Sequence, residues 1–348
     1  MYNKTMAKKK RIDFAFIVQP RDVFDIYRKY PFAKIFPQRL VLFVFRFFPP
    51  VFVGSVLVRT KKKNLRGGII SVSATAKMLL ADRKKGRRKV EDALRYAARL
   101  GARYAGLGSL TSPVVGGGKD VCKPKGLFVT NGNALTAGMT IVGVQKLIQS
   151  RGKNIEDLSV AVVGATGSIG NAVSRMLAEM HPRSLLLLGR TPENLSVLRE
   201  DIFGGVSGIS VDISTNMDDV RHSDVVVVAV SASGAIIRQH HLKENAIVYD
   251  ITQPQNVSED ILKERPDITV VDGALVRFPA VSHRFDFGIP QDAHFSCFSE
   301  LILCSLEDVS RDFSIGTVRT DNVREILALA EKYGVEIAPF TSFGKPLS

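Results

Sequence analysis

Three glycines spaced three residues apart constrain this chain more than any other feature. A mostly apolar run at 158–163 ends at Gly164. Gly167 and Gly170 come next, and residues 171–179 continue with helical spacing. In this order of strand, turn and helix, Gly164 allows the turn, Gly167 allows close approach of a pyrophosphate, and Gly170 allows close helix packing. An ordinary Gly-rich turn is the alternative. The helix N-terminus would offer N–H groups to phosphates. The predicted dinucleotide-binding residues are Gly164, Thr166, Gly167, Ser168, Ile169 and Gly170.

Arg190 occupies the position at which a dinucleotide-binding domain discriminates between NAD and NADP. A second apolar run at 185–188 is followed by Gly189, Arg190 and Thr191. NAD-preferring domains usually carry Asp or Glu about 20 residues past the glycines, to accept a hydrogen bond from the ribose 2′-hydroxyl. A guanidinium cannot accept that bond, but it can bind a 2′-phosphate through two donors. Arg190 and Thr191 therefore predict NADPH, with a surface arginine that binds nothing as the alternative.

Continuous apolar runs predict the sheet that carries this loop. They lie near 159–163, 185–188, 208–212, 225–230, 246–250 and 268–272, with polar loops between them. Strands that are apolar on both faces are typical of parallel sheets covered by helices. The run at 225–230 ends in small residues that begin with Ser231, as expected where a nucleotide crosses the carboxyl edge of a sheet. The expected fold class is α/β, with a Rossmann-like doubly wound parallel sheet.

Length and pattern predict more than one domain in these 348 residues. Residues 1–130 alternate predicted strands and helices, which indicates an N-terminal α/β domain that would bind the substrate. Residues 131–280 form the expected NADP-binding domain. Residues 281–348 form a C-terminal segment with helices near 292–309 and 320–334.

Positive charge is concentrated near the N-terminus. The chain carries 48 Lys and Arg against 34 Asp and Glu, a net charge of +14, and three basic blocks occupy residues 8–11, 61–63 and 83–89. Such blocks favour an anionic partner, such as nucleic acid, a membrane surface or an acidic carrier protein. A solvated face is the common explanation for any single block.

The most apolar window, residues 40–57, is almost long enough to span a bilayer. Arg46 and the pair Pro49-Pro50 lie in its middle, however, where a charge and a helix break are both costly. We therefore expect either an apolar flap that lines a pocket or a segment that lies on a membrane surface.

Cysteine and histidine usage predicts neither disulfides nor a metal site. Three cysteines without disulfide or zinc spacing fit a reducing cytoplasm, with membrane association as an option. The adjacent His240 and His241 would point in different directions on any regular element.

Residues 291–304 hold the side chains best suited to work with a nicotinamide. Cys297 falls in the first turns of a predicted helix, where the helix dipole can lower the pKa of a thiol. His294 would share a helical face with Cys297 and could exchange a proton. A small buried hydrophobe is the ordinary role of cysteine, which fits Cys304. Cys122, in a Gly- and Lys-rich loop, is a rival thiol.

Four segments of the chain resemble the long-chain acyl-(acyl carrier protein) reductase family, which forms fatty aldehydes. They are residues 107–112, 130–137, 162–173 and 295–300, and their order and spacing match. The Cys-Phe-x-Glu motif that begins at Cys297 is the most specific of them. The resemblance implies that Cys297 carries the acyl chain as a thioester and that NADPH occupies the glycine loop. It also implies that the helix start at Gly132 and Asn133 lies near the nicotinamide.

These features together predict reduction of a long-chain fatty acyl thioester to an aldehyde through an acyl-Cys297 intermediate. The hydroxyls of Thr111 and Ser112, or loop N–H groups, are candidate donors to the alkoxide. The apolar stretch 32–57 would house the acyl chain, at about 0.8 kcal/mol per buried CH₂. The early basic blocks would meet an acidic acyl carrier protein, acyl-CoA or a membrane rather than nucleic acid.

Two other functions fit parts of the sequence. The first is an NADP-dependent dehydrogenase of shikimate or amino-acid type, without covalent catalysis. It would need a Lys/Asp pair, and Lys119 and Asp120 are adjacent, which makes a shared site awkward. The second is a non-catalytic NADP-binding protein associated with membranes.

Overall fold

The computed structural model describes residues 11–20, 22–230, 234–253 and 255–347. It divides into two compact units, each assembled from three stretches of chain. Unit 1 consists of Met1–Gly132, Pro279–Phe287 and Cys297–Gly316, and unit 2 consists of Asn133–Phe278, Gly288–Ser296 and Thr317–Ser348. Residues 281–348, expected as one C-terminal segment, contribute to both units.

The helices and strands are numbered in chain order. The helices are α1 (Val23–Lys29), α2 (Gln38–Phe45), α3 (Ala76–Ala81), α4 (Arg83–Arg99), α5 (Thr111–Val114), α6 (Asn133–Ser150), α7 (Ser168–Glu179), α8 (Pro192–Gly205), α9 (Ile261–Glu264), α10 (Ser296–Leu306) and α11 (Thr320–Lys332). The strands are β1 (Phe14–Val18), β2 (Val51–Arg59), β3 (Asn64–Ser71), β4 (Tyr104–Leu107), β5 (Phe128–Thr130), β6 (Ser159–Val163), β7 (Ser184–Leu188), β8 (Val211–Ser214), β9 (Val225–Val228), β10 (Ile247–Asp250), β11 (Thr269–Asp272), β12 (Leu275–Arg277), β13 (Val281–His283), β14 (His294–Phe295), β15 (Glu336–Ile337), β16 (Thr341–Ser342) and β17 (Lys345–Pro346).

A six-stranded mixed sheet is the framework of unit 1. Its strand order is β13-β2-β3-β1-β4-β5. The strands β3, β1, β4 and β5 run parallel, whereas β2 runs antiparallel to both β3 and β13. The helix α4 covers one face because its apolar residues recur at helical spacing: Val90, Ala93, Leu94 and Ala97 are fully buried in the same cluster as Ala15 and Ile17 of β1. Asp82 starts this helix by accepting the Lys85 N–H at 3.0 Å.

The apolar window at 40–57 is divided between a helix and a strand. The helix α2 ends at Phe45, and β2 begins at Val51, directly after Pro49-Pro50. Proline lacks the N–H that a continuing helix needs, so the pair separates the two elements. Within the described part of the chain, no helix is both long and apolar enough to cross a membrane.

Unit 2 contains the predicted Rossmann-like sheet. Its six strands run parallel in the order β8-β7-β6-β9-β10-β11. In chain order this is 3-2-1-4-5-6, the arrangement of dinucleotide-binding domains, in which ligands bind at the carboxyl edge where the order reverses. That reversal lies between β6 and β9. The four central valines of β9 are all buried, as the continuous apolar run predicts.

Candidate active site

The turn after β6 has the geometry that a dinucleotide loop requires. Gly164 has a φ of 88°, and a Cβ there would lie 2.6 Å from the carbonyl oxygen of Ala229, so only glycine fits. A side chain at Gly170 would collide with the carbonyl of Gly164, so glycine at this position allows α7 to pack closely against the turn. Around Gly167, only the Gly164 and Ala229 carbonyl oxygens lie within 4 Å of such a Cβ. Gly164 and Gly170 thus have the turn and packing geometry predicted for them, and cofactor binding at this turn stays a prediction.

The N-terminus of α7 presents backbone groups to a ligand. Gly167 occupies the N-cap position, and no side chain caps the helix there. Asn133, the first residue of α6, donates from Nδ2 to the hydroxyl oxygen of Ser168 at 3.0 Å. Two of the predicted cofactor residues are thus in direct contact. An N-terminus of this kind favours a phosphate group.

Arg190 and Thr191 lie at the carboxyl end of β7, beside the turn. The turn is fastened there because the N–H groups of Gly164 and Ala165 donate to the carbonyl of Leu188 at 2.8 and 3.0 Å. Arg190 is exposed and forms no ion pair with any described residue. An unpaired guanidinium at this edge of the sheet could contact a phosphate of a bound dinucleotide. Ser231, also predicted to contact the cofactor, lies outside the described residues.

We expect Arg190→Ala to weaken NADPH binding by about tenfold or more, because the 2′-phosphate loses a charged bidentate donor. Binding of NADH should change less than about twofold, since that cofactor lacks the phosphate. Fluorescence titration of both cofactors with the same variant provides the comparison. An equal loss for NADH and NADPH would contradict the assignment of Arg190.

Cys297 lies in unit 1, at the second position of α10, with its backbone against Gly132. A side chain at Gly132 would collide with both Cα and Cβ of Cys297. Gly132 also has a φ of 75°, a conformation that residues with a Cβ rarely adopt. The turn at Gly132 therefore requires glycine for two reasons. Its backbone packs directly against the start of α10.

Thr130 and Glu300 hold this turn in place. Thr130 donates its hydroxyl proton to the fully buried carboxylate of Glu300. The same hydroxyl oxygen accepts the N–H of Gly132 at 3.1 Å. Because Glu300 is one helical turn after Cys297, α10 contacts the 130–132 turn at both residues. In the sequence, Glu300 stands out only as the last residue of the Cys-Phe-x-Glu motif, with no role predicted for it.

Burial and the nearby Glu300 carboxylate raise the pKa of Cys297 to about 12. A helix N-terminus was expected to lower this pKa, and that expectation is wrong: Cys297 as a residue is partly exposed, but desolvation of its thiol and the Glu300 carboxylate outweigh the helix dipole. The thiol is therefore neutral at pH 7 when no substrate is bound. Cys304, in contrast, is a buried apolar contact, as predicted, and Cys122 is exposed.

The rate of alkylation of Cys297 should rise about tenfold per pH unit from pH 7 to pH 10. Only the thiolate reacts, and with a pKa near 12 it is a small fraction of the thiol throughout this range. The rate of iodoacetamide labelling is measured in the Cys122→Ser/Cys304→Ala variant without cofactor. A labelling rate that levels off below pH 9 would contradict the raised pKa.

His294 does not lie on the helix that carries Cys297. His294 and Phe295 form β14, which pairs with β12, and α10 begins only at Ser296. Ser296 fixes this junction by donating its N–H and its hydroxyl to the carbonyl oxygen of Ala274 at 3.2 and 2.6 Å. The prediction that His294 and Cys297 share a helical face is therefore wrong.

Thr111 and Ser112, the proposed donors to an alkoxide, begin the short helix α5. Both are buried. The hydroxyl of Thr111 lies 2.8 Å from the carbonyl oxygen of Gly108 and 3.3 Å from that of Ile17. Its single proton is used within the fold, which argues against a second bond to an alkoxide. Ser112 remains a candidate donor.

A cluster of two histidines and a carboxylate lies on unit 2. Oδ1 of Asp218 is 3.9 Å from Nε2 of His240 and 3.7 Å from Nε2 of His241. The expectation that these histidines point apart is wrong, because they share one 3₁₀ turn and their rings lie 4.2 Å apart. Nδ1 of His241 accepts the N–H of Arg238 at 3.1 Å, so its Nε2 carries the proton and offers no lone pair to a metal.

Comparison with known proteins extends these observations. The sequence profile of the shikimate / quinate 5-dehydrogenase family matches residues 146–272, which lie within unit 2. The aminotransferase PigE of Serratia sp. is 30% identical over 80% of this chain, and the chain spans only a third of that protein's length. A long-chain acyl-[acyl-carrier-protein] reductase from Synechococcus elongatus is 28% identical over 77% of this chain and 81% of its own.

Among solved structures, quinate dehydrogenase from Corynebacterium glutamicum in complex with NAD aligns with 91% of this chain and 99% of its own, at 14% identity and a TM-score of 0.39. The fold, the glycine turn and the sequence matches support a Rossmann-type oxidoreductase that uses a nicotinamide cofactor. Within that class, the chain is a distant relative of the acyl-carrier-protein reductase.

Proposed function

We propose that this protein reduces a long-chain fatty acyl thioester to the aldehyde, using NADPH and an acyl-Cys297 intermediate. The observation that carries the proposal is the fixed position of Cys297: Gly132 lies against its backbone, and Thr130 and Glu300 hold the Gly132 turn. A cysteine that served only as a buried apolar residue would require neither a buried carboxylate nor a glycine with positive φ beside it. The match to an acyl-carrier-protein reductase over most of both chains supports the same reading.

The chemistry at Cys297 begins with proton loss. The thiolate attacks the carbonyl carbon of the acyl thioester, the carbon–sulfur bond to the carrier breaks, and the carrier thiolate leaves with the proton. The acyl group then remains on Cys297 while the carrier departs, which keeps its carbonyl positioned for reduction. After reduction, the alkoxide expels the Cys297 thiolate and the aldehyde is released.

The residues around the glycine turn fit NADPH, which when bound supplies the hydride. The Gly167 N-cap and α7 would hold the pyrophosphate, and Arg190 would hold the 2′-phosphate. One peptide bond joins Gly132, which contacts Cys297, to Asn133, which bonds Ser168 at the start of α7.

The carrier of the acyl group would be acidic: an acyl carrier protein or acyl-CoA. A cleft of about 440 Å³ on unit 1 is lined by Arg11, Arg59 and Arg66 together with apolar residues. None of the three arginines forms an ion pair with a described residue. Two of the basic residues first considered for this role, Lys62 and Lys63, instead pair with Glu307 and Asp308 at 3.0 and 2.7 Å. Lys8 to Lys10 lie outside the described residues.

Mass spectrometry of the intact protein tests the proposal. The full chain is incubated with a mixture of acyl-CoA and acyl-carrier-protein thioesters in the absence of NADPH. We expect one acyl group per chain, located by peptide mapping at Cys297, and its release as aldehyde when NADPH is added. A protein that oxidises or reduces substrates without retaining an acyl group would contradict the covalent mechanism.

A dehydrogenase of shikimate or quinate type is the second candidate, favoured by the family match at residues 146–272. That match covers cofactor-binding residues of unit 2 and leaves unit 1 unassigned. In unit 1, the side chain of Lys119 packs over Gly316 while the carboxylate of Asp120 lies over Gly116. Turnover of a hydroxy acid with NADP, with no acyl adduct, is the result that this second function requires.

A further inference from the structure

Eight large apolar side chains are exposed within 24 residues of unit 1. They are Phe24, Phe32, Ile35, Phe36, Leu40, Phe43, Val44 and Phe47, here called the aromatic patch. Ile35 is 78% exposed, and Phe47 is 67% exposed. Single exposed apolar residues are ordinary, but a contiguous group marks an interaction surface.

The helix α2 has two apolar faces, and only one is used inside the fold. Val41 and Phe45 are buried in a small cluster with Val23 and Ile26 of α1. On the other face of α2, Leu40, Phe43 and Val44 are exposed at helical spacing, and the exposed Phe47 follows in the turn after the helix. Among the described residues, packing therefore accounts for the inward face, whereas the outward face stays exposed, with Phe43 and Phe47 in contact with each other and with Arg46.

Basic residues outnumber acidic ones in the sequence around the aromatic patch, where Asp22 and Asp25 flank Phe24 and Asp25 pairs with Arg28. Residues 26–81 contain eleven Lys or Arg and no Asp or Glu. Lys29, Lys34 and Arg39 are exposed and form no ion pair with any described residue. Arg46 lies 4.3 Å from the ring centre of Phe43 and 4.7 Å from that of Phe47.

We propose that the aromatic patch docks unit 1 on an anionic lipid bilayer. Exposed phenylalanines would enter the boundary between headgroups and acyl chains, while Lys29, Lys34 and Arg39 meet lipid phosphates. The long stems of lysine and arginine allow the charges to remain in the headgroup layer as the rings enter. With α2 lying along the surface, membrane binding would not require a spanning helix.

Charge favours a bilayer over a second copy of this chain. Self-association through the aromatic patch would bring two sets of unpaired cations together without an anion to neutralise them. An anionic membrane supplies that charge and also accepts scattered rings without a matching pocket.

Vesicle sedimentation with the full chain, without substrate or cofactor, tests the docking. We compare phosphatidylcholine vesicles with and without phosphatidylglycerol, using the double variant Phe43→Ser/Phe47→Ser, the double variant Lys34→Glu/Arg39→Glu, and the control Phe203→Ser. Phe203 is also an exposed phenylalanine, at 49%, but it lies on α8 of unit 2. Every variant keeps the basic residues 8–11, so differences report on the patch alone.

We expect the wild-type chain and Phe203→Ser to bind anionic vesicles equally. Each double variant should bind about tenfold more weakly or worse, since it removes either the inserted rings or the headgroup contacts. Wild-type affinity for both double variants would overturn the proposal, as would a wild-type chain that binds no vesicle. So would a patch-dependent dimer in analytical ultracentrifugation, or patch-dependent binding only to an acidic protein. Docking does not depend on the chemistry at Cys297, so its failure would leave thioester reduction intact.

Discussion

Cys297→Ser is expected to lower aldehyde formation by at least about a thousandfold, because a serine hydroxyl is both a weaker nucleophile and a poorer leaving group than a thiolate. No acyl group should be retained by the variant. Steady-state NADPH oxidation and the mass of the intact protein measure the two effects.

Two matched variants show whether the loss belongs to this cysteine. Cys304 lies on the same helix and is 3% exposed, whereas Cys122 is exposed in a loop. Cys304→Ala and Cys122→Ser should both retain acylation and turnover within about threefold, since each removes a thiol with no assigned chemistry. If Cys297→Ser still makes aldehyde at the wild-type rate, or if Cys122→Ser abolishes it, the assignment of the nucleophile is wrong.

Gly132→Ala should produce the second large effect, with a loss of about a hundredfold in acylation of Cys297. The added methyl group must occupy the space held by Cα and Cβ of Cys297, so α10 has to move. A positive φ costs an alanine about 1–2 kcal/mol in addition. Acylation kinetics and thermal unfolding measure the two consequences.

Gly126→Ala separates the collision from the strain. Gly126 has a φ of 81°, close to that of Gly132, but nothing lies within 4 Å of a Cβ at that position. This variant should lose stability comparable to the strain alone, about 1–2 kcal/mol, and acylate at nearly the wild-type rate. Equal acylation by Gly132→Ala and Gly126→Ala would show that contact between Gly132 and Cys297 has no effect on the reaction.

The cofactor half of the fold was predictable because its determinants are local. A strand that is apolar on both faces and glycines at fixed spacing each leave few conformations, and Gly164 adopts the positive φ that its place in the motif requires. The strand bounds shifted by a few residues only, as at β8, which begins at Val211 rather than near residue 208. The separation of the 40–57 window by Pro49-Pro50 followed from the same kind of local rule.

The environment of Cys297 was not predictable because it depends on residues far apart in the chain. Thr130 and Glu300 are 170 positions apart, and their hydrogen bond places a carboxylate near the thiol. Position on a helix alone suggested a lowered pKa, whereas enclosure and this carboxylate raise it. The spacing of Cys297 and Glu300 on one helix was the available signal, and it could have suggested that both face the same turn. His294 was misplaced because β14 takes it into a sheet.

The interleaved connectivity of the two units limits how such a protein can be divided or recombined. The chain passes from one unit to the other five times, after residues 132, 278, 287, 296 and 316. No single break in the chain leaves both units whole, so one cut cannot separate them. The helix with Cys297 returns to unit 1 only after most of unit 2 has been synthesised. During synthesis on the ribosome, the site around Cys297 is therefore completed late.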